Sequence, residues 1–203
     1  MKYNRWGRNP NDDKEFATEV RKHDAAFVTF ADAQIGKLIK ALKKSGKYEN
    51  TIIVVWGDHG WHLGEHAVWG KHTLFEESLH SPLIIRAPEM KRPGIAANGI
   101  VESIDIMPTL AALAGLDQPA FVDGTSLQPM IEAPQQKGHS AVSYARAKTI
   151  RTDTHRLILH KDGHAELYEH APAGGELQNV AATQSEVVKK LTAELSSRIA
   201  DRF

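Results

Sequence analysis

The sequence predicts an α/β fold in which a mostly parallel sheet with helices is followed by a small antiparallel sheet with a C-terminal helix. Residues 13–44 repeat apolar side chains every three or four positions and lead into a short β-branched run at 51–56. A helix that enters a buried strand is half of a βαβ unit, which builds parallel sheets. Beyond residue 118, short strand-like runs separated by turn residues are typical of an antiparallel sheet. We therefore predict two regions, 1–118 and 119–203.

The long helix is predicted over residues 13–44. Asp12, with Glu15 three positions later, resembles a capping box at its start, and Gly46 suits the turn that ends it. The apolar positions fall on one helical face, as in an amphipathic helix. They are Phe16, Val20, Phe27, Ala31, Ile35, Leu38 and Leu42.

Two strands and a short helix complete the first region. The β-branched run 51–56 has the pattern of a strand buried on both faces in a parallel sheet. Residues 81–88 form a second apolar run bounded by prolines, and we interpret it as a second buried strand. Residues 105–115 predict a short helix, because Pro108 lies early in the segment and Gly115 ends it.

The second region contains three strand-like runs and a closing helix. The runs lie at 140–145, 155–160 and 164–169, with turn residues such as Asp162-Gly163 between them. The closing helix is predicted to start near Thr183 and to cover one face of the small sheet. Its apolar stripe is Val187, Val188, Leu191, Leu195 and Ile199.

Composition limits the classes of partner. The 203 residues include 25 basic and 25 acidic side chains, without a Lys/Arg block, so we expect no nucleic-acid partner. The sequence contains no cysteine, which excludes disulfides, thiolate metal sites and a cysteine nucleophile within it. The start of the sequence lacks the apolar core of a secretory signal, and no stretch reaches the ~18 apolar residues of a membrane span. We therefore expect no membrane partner and assign no localisation.

The densest chemistry follows the strand at 51–56. Asp58 and His59 come directly after it, where ligand sites of open α/β sheets lie. A hard divalent cation favours the Asp58 carboxylate, while His59 can ligate a metal or hydrogen-bond to an oxyanion. Lys71 would bring a positive charge to an anionic substrate in the same pocket. The segment is thus a candidate site for a metal and an anion.

Two other interpretations of this segment stay open. The Asp-His-Gly sequence can be a helix N-cap and turn without any chemistry. The steps of three and four between His59, His62 and His66 suit a zinc site on one helical face. Gly60 and Gly64 make a helix unfavourable there.

Residues 50–78 resemble the sulfatase family of the alkaline-phosphatase-like superfamily, especially members of the iduronate-2-sulfatase and choline-sulfatase types. In these proteins a strand ends in Asp-His-Gly and is followed by Leu-Gly-Glu-His and then Trp-x-Lys, as in this sequence. The family's motif order continues downstream through SPLIIRAP, SIDIMPTLAALAG, VDGTSLQPMI and IRTDTHRLI. The resemblance implies the C-terminal part of an enzyme that hydrolyses sulfate esters of a sugar or another small polar alcohol. Members of this family are often exported.

The resemblance also implies roles for individual residues. Asp58 and His59 match two ligands of the family's divalent cation, usually calcium, with magnesium as the alternative. Lys71 matches the lysine that contacts the sulfate group, and we assign it the catalytic role. The neighbouring side chains of His62, His66 and His72 are weaker candidates for substrate binding.

The family's nucleophile has no counterpart in this sequence. It is a formylglycine made from the first residue of Cys/Ser-x-Pro-x-Arg, a pattern that does not occur here. The family's two further metal-binding aspartates are not matched either, since Asp12-Asp13 follows no apolar strand and suits a helix cap. We therefore expect a missing N-terminal sulfatase portion, an inactive isolated chain, and self-association through its exposed sheet. The alternatives are a stand-alone, non-catalytic binding module and a phosphoesterase or phosphonate hydrolase of the same superfamily.

Overall fold

The computed structural model describes residues 7–170 and 175–200, which fall into two compact units. Within these ranges, the first unit comprises residues 7–73 and 80–88, and the second comprises 74–79, 89–170 and 175–200. The predicted regions 1–118 and 119–203 stay a prediction about domain organisation. Among the described helices, none has the length and apolar character that a membrane crossing requires.

The first unit contains one long helix and four short strands. These are α1 (Lys14–Lys44), β1 (Ile53–Trp56), β2 (His62–Leu63), β3 (Trp69–Gly70) and β4 (Leu83–Arg86). One-turn 3-10 helices lie at Tyr48–Asn50 and Glu65–Ala67.

Helix α1 confirms the predicted long helix and shifts its cap by one residue. The side chain of Asp13, not Asp12, caps the helix and accepts a hydrogen bond from the Phe16 N–H at 2.9 Å. Gly46 has a φ of +72°, so it provides the left-handed turn predicted to end the helix. Of the predicted apolar face only Phe16 is buried, whereas Phe27 is 74% exposed.

The predicted parallel arrangement of the first two apolar runs is wrong. Strands β1 and β4 pair antiparallel, from Ile53 opposite Arg86 to Trp56 opposite Leu83. Every strand pair within 7–170 and 175–200 is antiparallel. Between β1 and β4 the chain forms two short strands and two short helical turns, Glu65–Ala67 and Glu76–Leu79, and not the crossover helix that usually joins parallel neighbours. Trp56 is 47% exposed, so the burial on both faces predicted for residues 51–56 is not observed, and Ile84 in the second apolar run is 62% exposed.

The second unit is built around a four-stranded sheet with the order β5-β6-β7-β8. Its elements are α2 (Glu76–Leu79), α3 (Ile106–Leu113), α4 (Gln128–Glu132), β5 (Ala141–Tyr144), β6 (Lys148–Arg151), β7 (His155–Leu159), β8 (Ala165–Glu169) and α5 (Ser185–Ala200), with a 3-10 turn at Ser103–Asp105 before α3. The sequence predicted this sheet and its helix but missed α2, α4 and β6. Helix α5 starts two residues after Thr183.

Helix α5 covers the small sheet, as predicted. Its buried Leu191, Leu195 and Ile199 form a core with residues from three strands. Those residues are Ile150, Leu157 and Leu167, each fully buried. This cluster contains most of the largest buried apolar side chains of the chain that the structure describes.

Candidate functional site

A tight junction after β1 places Asp58 and His59 beyond the end of this strand. The Gly57 N–H donates to the Pro82 carbonyl oxygen at 3.0 Å. A Cβ atom at Gly57 would lie 2.9 Å from Cδ of Pro82, closer than real Cβ contacts occur. The close approach therefore needs glycine at this position. The two candidate metal ligands follow where the sequence predicts them.

The imidazole of His59 is oriented by its own neighbouring backbone. Its Nδ1 lies 2.8 Å from the Gly60 carbonyl oxygen. Because a carbonyl oxygen only accepts hydrogen bonds, Nδ1 carries the proton and Nε2 presents a lone pair. The His59 Nε2 atom accepts a hydrogen bond from the Lys71 ammonium and lies 3.5 Å from Oδ2 of Asp58. The three residues singled out by the sequence thus meet at one nitrogen.

A small hairpin returns Lys71 to His59. Strands β2 and β3 pair His62 with Gly70 and Leu63 with Trp69. Gly64 begins the turn between them with a φ of +120°, a conformation that L side chains rarely adopt. Because β3 runs antiparallel to β2, residue 71 at the end of β3 lies near the residues that precede β2, and Lys71 contacts His59 there.

Helix α1 supports the hairpin. The Arg21 guanidinium lies 5.0 Å above the Trp69 ring, and its Nε donates to the Leu63 carbonyl oxygen at 3.0 Å. The Trp69 indole N–H donates to Oδ1 of Asn11 at 2.7 Å. These contacts fix the residue two positions before Lys71.

The three weaker substrate-binding candidates occupy different environments. His62 is fully buried, with Nε2 2.7 Å from Oγ1 of Thr73. The His66 ring packs edge-on against His62 at 5.8 Å between ring centroids, whereas His72 is exposed. His62 lies in strand β2, so the helical face needed by the zinc interpretation of His59, His62 and His66 does not form. Of the three, His72 is the one open to solvent.

Two family models match this sequence. The model described as Sulfatase matches residues 3–116, and the model described as N-sulphoglucosamine sulphohydrolase, C-terminal, matches residues 64–202. The chain belongs to the sulfatase family. These matches cover both the segment with Asp58, His59 and Lys71 and the small sheet with its covering helix.

Curated relatives are much longer than this chain. A sulfatase of Formosa agariphila is 34% identical over 159 residues, which cover 77% of this chain and 31% of that protein. Human iduronate 2-sulfatase is 33% identical over 129 residues, which cover 52% of this chain and 24% of that protein. The chain therefore spans about a quarter to a third of the length of these sulfatases.

Solved structures confirm the predicted α/β, alkaline-phosphatase-like fold. A protein in complex with its substrate D-glucosamine-2-N,6-O-disulfate matches with a TM-score of 0.75 and 29% identity, over 86% of this chain and 40% of that chain. Phosphonate monoester hydrolase of Agrobacterium radiobacter matches with a TM-score of 0.72 and 28% identity, over 85% and 39%. The antiparallel β1–β4 pair thus occurs in a chain whose fold is that of sulfatases.

The donors of this sulfatase chain fit a divalent cation as part of a ligand set. Asp58 has a 75% exposed side chain with free access for an ion, and His59 presents the lone pair of Nε2. The Lys71 ammonium donates to this nitrogen in the structure, so Lys71 has to turn away from Nε2 before a cation can bind there. Calcium takes about six to eight oxygen ligands, more than these two side chains supply. Further donors are needed to complete such a site.

Sequence reasoning missed a buried ion-pair network in the second unit. Arg156 hydrogen-bonds to both Glu176 and Glu76, and Nε2 of His170 lies 2.8 Å from Oε1 of Glu176. Burial raises the pKa of Glu176, but the His170 hydrogen bond and the Arg156 charge outweigh it and lower the pKa below its usual value. Arg151 also donates from Nε to Oε2 of Glu76 at 3.2 Å, so two arginines balance the two carboxylates and the network is internally paired. The sequence signal that could have indicated this network is Arg156, a single arginine within the apolar run of β7.

Proposed function

We propose that Asp58, His59 and Lys71 form the metal- and sulfate-contacting part of a sulfatase active site. The complete protein would hydrolyse sulfate esters of a sugar or another small polar alcohol. The observation that supports this most is the meeting of Lys71 Nζ and Asp58 Oδ2 around Nε2 of His59. A sulfated glucosamine is the substrate of one protein with a similar structure, which favours a sugar.

Each side chain has a separate role in this proposal. The Asp58 carboxylate and Nε2 of His59 would ligate the divalent cation, calcium in our assignment, with magnesium as the alternative. When bound, such an ion supplies Lewis-acid polarisation of the sulfate oxygens. The Gly60 carbonyl holds His59 in the tautomer that keeps Nε2 available. Lys71 would offset the negative charge that develops on the sulfuryl oxygens.

The covalent chemistry needs a partner segment. The sequence has no cysteine and no Ser-x-Pro-x-Arg pattern, so we propose that the formylglycine and the remaining metal ligands come from an N-terminal sulfatase portion. The coverage of the relatives, about a quarter to a third of their length, is consistent with such a portion. In this proposal the isolated chain does not turn over sulfate esters, because no nucleophile attacks the sulfur.

An assay with a chromogenic aryl sulfate and calcium tests the proposal. It compares the chain alone with the chain joined to an N-terminal portion that carries Cys-x-Pro-x-Arg. We expect background rates from the chain alone and turnover from the joined protein. Lys71→Ala and Asp58→Asn should each lower kcat of the joined protein by about 10²- to 10³-fold, as for loss of one electrostatic contact to a transition state. The exposed Lys189→Ala on α5 is the matched control and should leave turnover unchanged.

Two results would contradict the proposal. Unchanged turnover of the joined protein in Asp58→Asn and Lys71→Ala would remove these residues from the active site. Turnover by the chain alone that disappears in Lys71→Ala would show that this chain contains its own nucleophile.

A second candidate is hydrolysis of phosphonate monoesters. It is favoured by the structural likeness to phosphonate monoester hydrolase of Agrobacterium radiobacter. The same joined protein, assayed with an aryl sulfate and an aryl phosphonate monoester at equal concentration, separates the two. The sulfatase proposal expects the higher kcat/KM for the sulfate, and a higher value for the phosphonate would favour the second candidate.

A further inference from the structure

A cleft of about 510 Å³ lies at one end of the four-stranded sheet, within the second unit. The register pairs Tyr144 with Lys148 and Lys148 with Leu159, so the β5–β6 and β7–β8 turns lie side by side. The polar side chains that line the cleft come from these two turns and the strand ends next to them. They are Tyr144, Arg146, Lys148, His160 and Lys161.

The cleft concentrates positive charge in a chain whose net charge is zero. Basic and acidic residues balance over the whole sequence, yet the described lining contains three permanent cations and no carboxylate. Within the described part of the chain, the charged groups of Arg146 and Lys161 make no ion pair. This local excess attracts anions.

Two carboxylates close in sequence to the cleft residues, those of Asp162 and Glu166, have hydrogen-bond partners of their own. Oδ1 of Asp162 accepts a hydrogen bond from the His164 N–H at 2.9 Å. Glu166 accepts from the Tyr168 hydroxyl and pairs with His160. Neither carboxylate is paired with Arg146 or Lys161 in this structure.

The turns that form the cleft are held by the sheet's own core. Ala147 is buried against Ile158 and Tyr168. The Ala145 N–H donates to the Ala147 carbonyl oxygen at 2.8 Å, and the His160 N–H donates to the His164 carbonyl oxygen at 2.9 Å. A fixed backbone reduces the entropy lost when a ligand binds.

We propose that this cleft is a second binding site, which takes a sulfated saccharide. Arg146 and Lys161 would pair with sulfate groups through charge-assisted hydrogen bonds. The ring of Tyr144, 54% exposed, would pack against the apolar face of a sugar ring. The volume falls within the ~300–1,000 Å³ of small-ligand sites. The choice of a sulfated sugar over other anions rests on the proposed function, but the cleft contains none of the residues of that site.

Calorimetric titration of the chain with D-glucosamine-2-N,6-O-disulfate in EDTA tests the site without turnover or metal. Arg146→Ala/Lys161→Ala should weaken binding about tenfold or more, because two charge-assisted contacts are lost. Lys189→Ala/Lys190→Ala, on the exposed side of α5, removes the same charge and should change binding less than about twofold, because these lysines do not line the cleft and salt screens exposed charges. Tyr144→Ala should weaken binding of the sugar but not of inorganic sulfate. Circular dichroism verifies that each variant is folded.

Several results would overturn the proposal. Equal losses in the two double variants would show an effect of net charge alone. Binding that survives Arg146→Ala/Lys161→Ala but is lost in Lys71→Ala would place the sugar at the proposed metal and sulfate site. Equal affinity for inorganic sulfate, an oligonucleotide or anionic vesicles would show that the cleft does not select a saccharide. No binding at millimolar concentrations of the sugar would contradict the proposal as well. The activity assay of the joined protein has an independent outcome, so failure of one proposal is distinguishable from failure of the other.

Discussion

The two compact units of the chain differ in how they bury apolar side chains. In the second unit, Leu157, Leu167 and Leu195 are at most 1% exposed and belong to one core. In the first unit, Phe27, Leu38 and Ile84 are between 62% and 74% exposed. Of the buried apolar residues in the described chain, only Phe16, Ala17 and Ala87 belong to the first unit, which also contains the side chains proposed to act on sulfate. Stability and the proposed chemistry are therefore carried by different parts of this chain.

The largest expected effect lies in the ion-pair network of the second unit. Arg156→Met leaves the carboxylate of Glu176, which is 1% exposed, without its cation. Removing one partner of a buried pair costs about 3–5 kcal/mol of unfolding free energy. Urea denaturation of this variant and of the exposed control Lys189→Met measures the difference. A loss below about 1 kcal/mol, as for surface pairs, would mean that the network does not stabilise this unit.

The contrast in burial predicts a contrast between two leucines. Leu195→Ala removes a side chain from the closed core and should cost about 2–5 kcal/mol. Leu38→Ala makes the same change on the exposed side of α1 and should stay within about 0.5 kcal/mol. Thermal or urea unfolding of both variants is the measurement. Equal costs would show that α1 is covered in solution by something that the exposure of Leu38 does not reveal.

The pH dependence of the second unit gives a further test through His139. Its Nδ1 lies 2.9 Å from the Ser140 carbonyl oxygen and its Nε2 lies 2.8 Å from Oδ2 of Asp105. Both partners accept, so the ring is best bound as the imidazolium. Burial lowers the pKa of His139, but the two hydrogen bonds raise it by more than burial lowers it. The net pKa of His139 therefore lies above its usual value.

A raised folded-state pKa stabilises the protein below the unfolded pKa of His139, and this contribution is lost as pH rises through the folded value. We expect the stability of the natural chain relative to His139→Gln to fall as pH increases from about 6 towards 8. Unfolding free energies measured across this interval provide the check. A difference that does not vary with pH would exclude the protonated pair with Asp105.

The exposed apolar side chains of the first unit predict self-association of the isolated chain. Phe27, Phe30 and Leu38 lie exposed on α1, and exposed apolar surface promotes association. Light scattering at high concentration should detect dimers or larger species, fewer of them in Phe27→Ser/Leu38→Ser. A monomer at all concentrations would favour the stand-alone binding module.

Local patterns predicted the elements whose physics is local. Helix α1, its end at Gly46 and the stripe of α5 depend on neighbours within a few residues, and the structure confirms them, whereas most of the predicted apolar face of α1 is not buried. The position of Asp58 just after β1 was also predictable, because the apolar run in the sequence and the strand in the structure both end at Trp56. Strand β6 was missed because charged residues at both ends hide a buried core of two residues, Thr149 and Ile150.

Long-range pairing could not be predicted from one sequence. The direction of β4 beside β1 does not change the apolar pattern of either strand, so parallel and antiparallel pairs look alike. Arg156 meets Glu76 across 80 positions in sequence, and no local signal selects that partner. Arg146 and Lys161 line the basic cleft from two separate turns, so the sequence contains no Lys/Arg block from which the cleft could have been predicted.

Titration of the isotope-labelled chain with calcium, followed by nuclear magnetic resonance, tests the central claim most directly. We predict saturable shifts confined to Gly57–Gly60 and the His59 ring, with a weak, millimolar dissociation constant, because two side chains supply only part of a calcium ligand set. Asp58→Asn should abolish these shifts, and the exposed Asp153→Asn should not. Micromolar affinity, or shifts at Glu76, His170 and Glu176 in place of the Asp58 loop, would contradict the account.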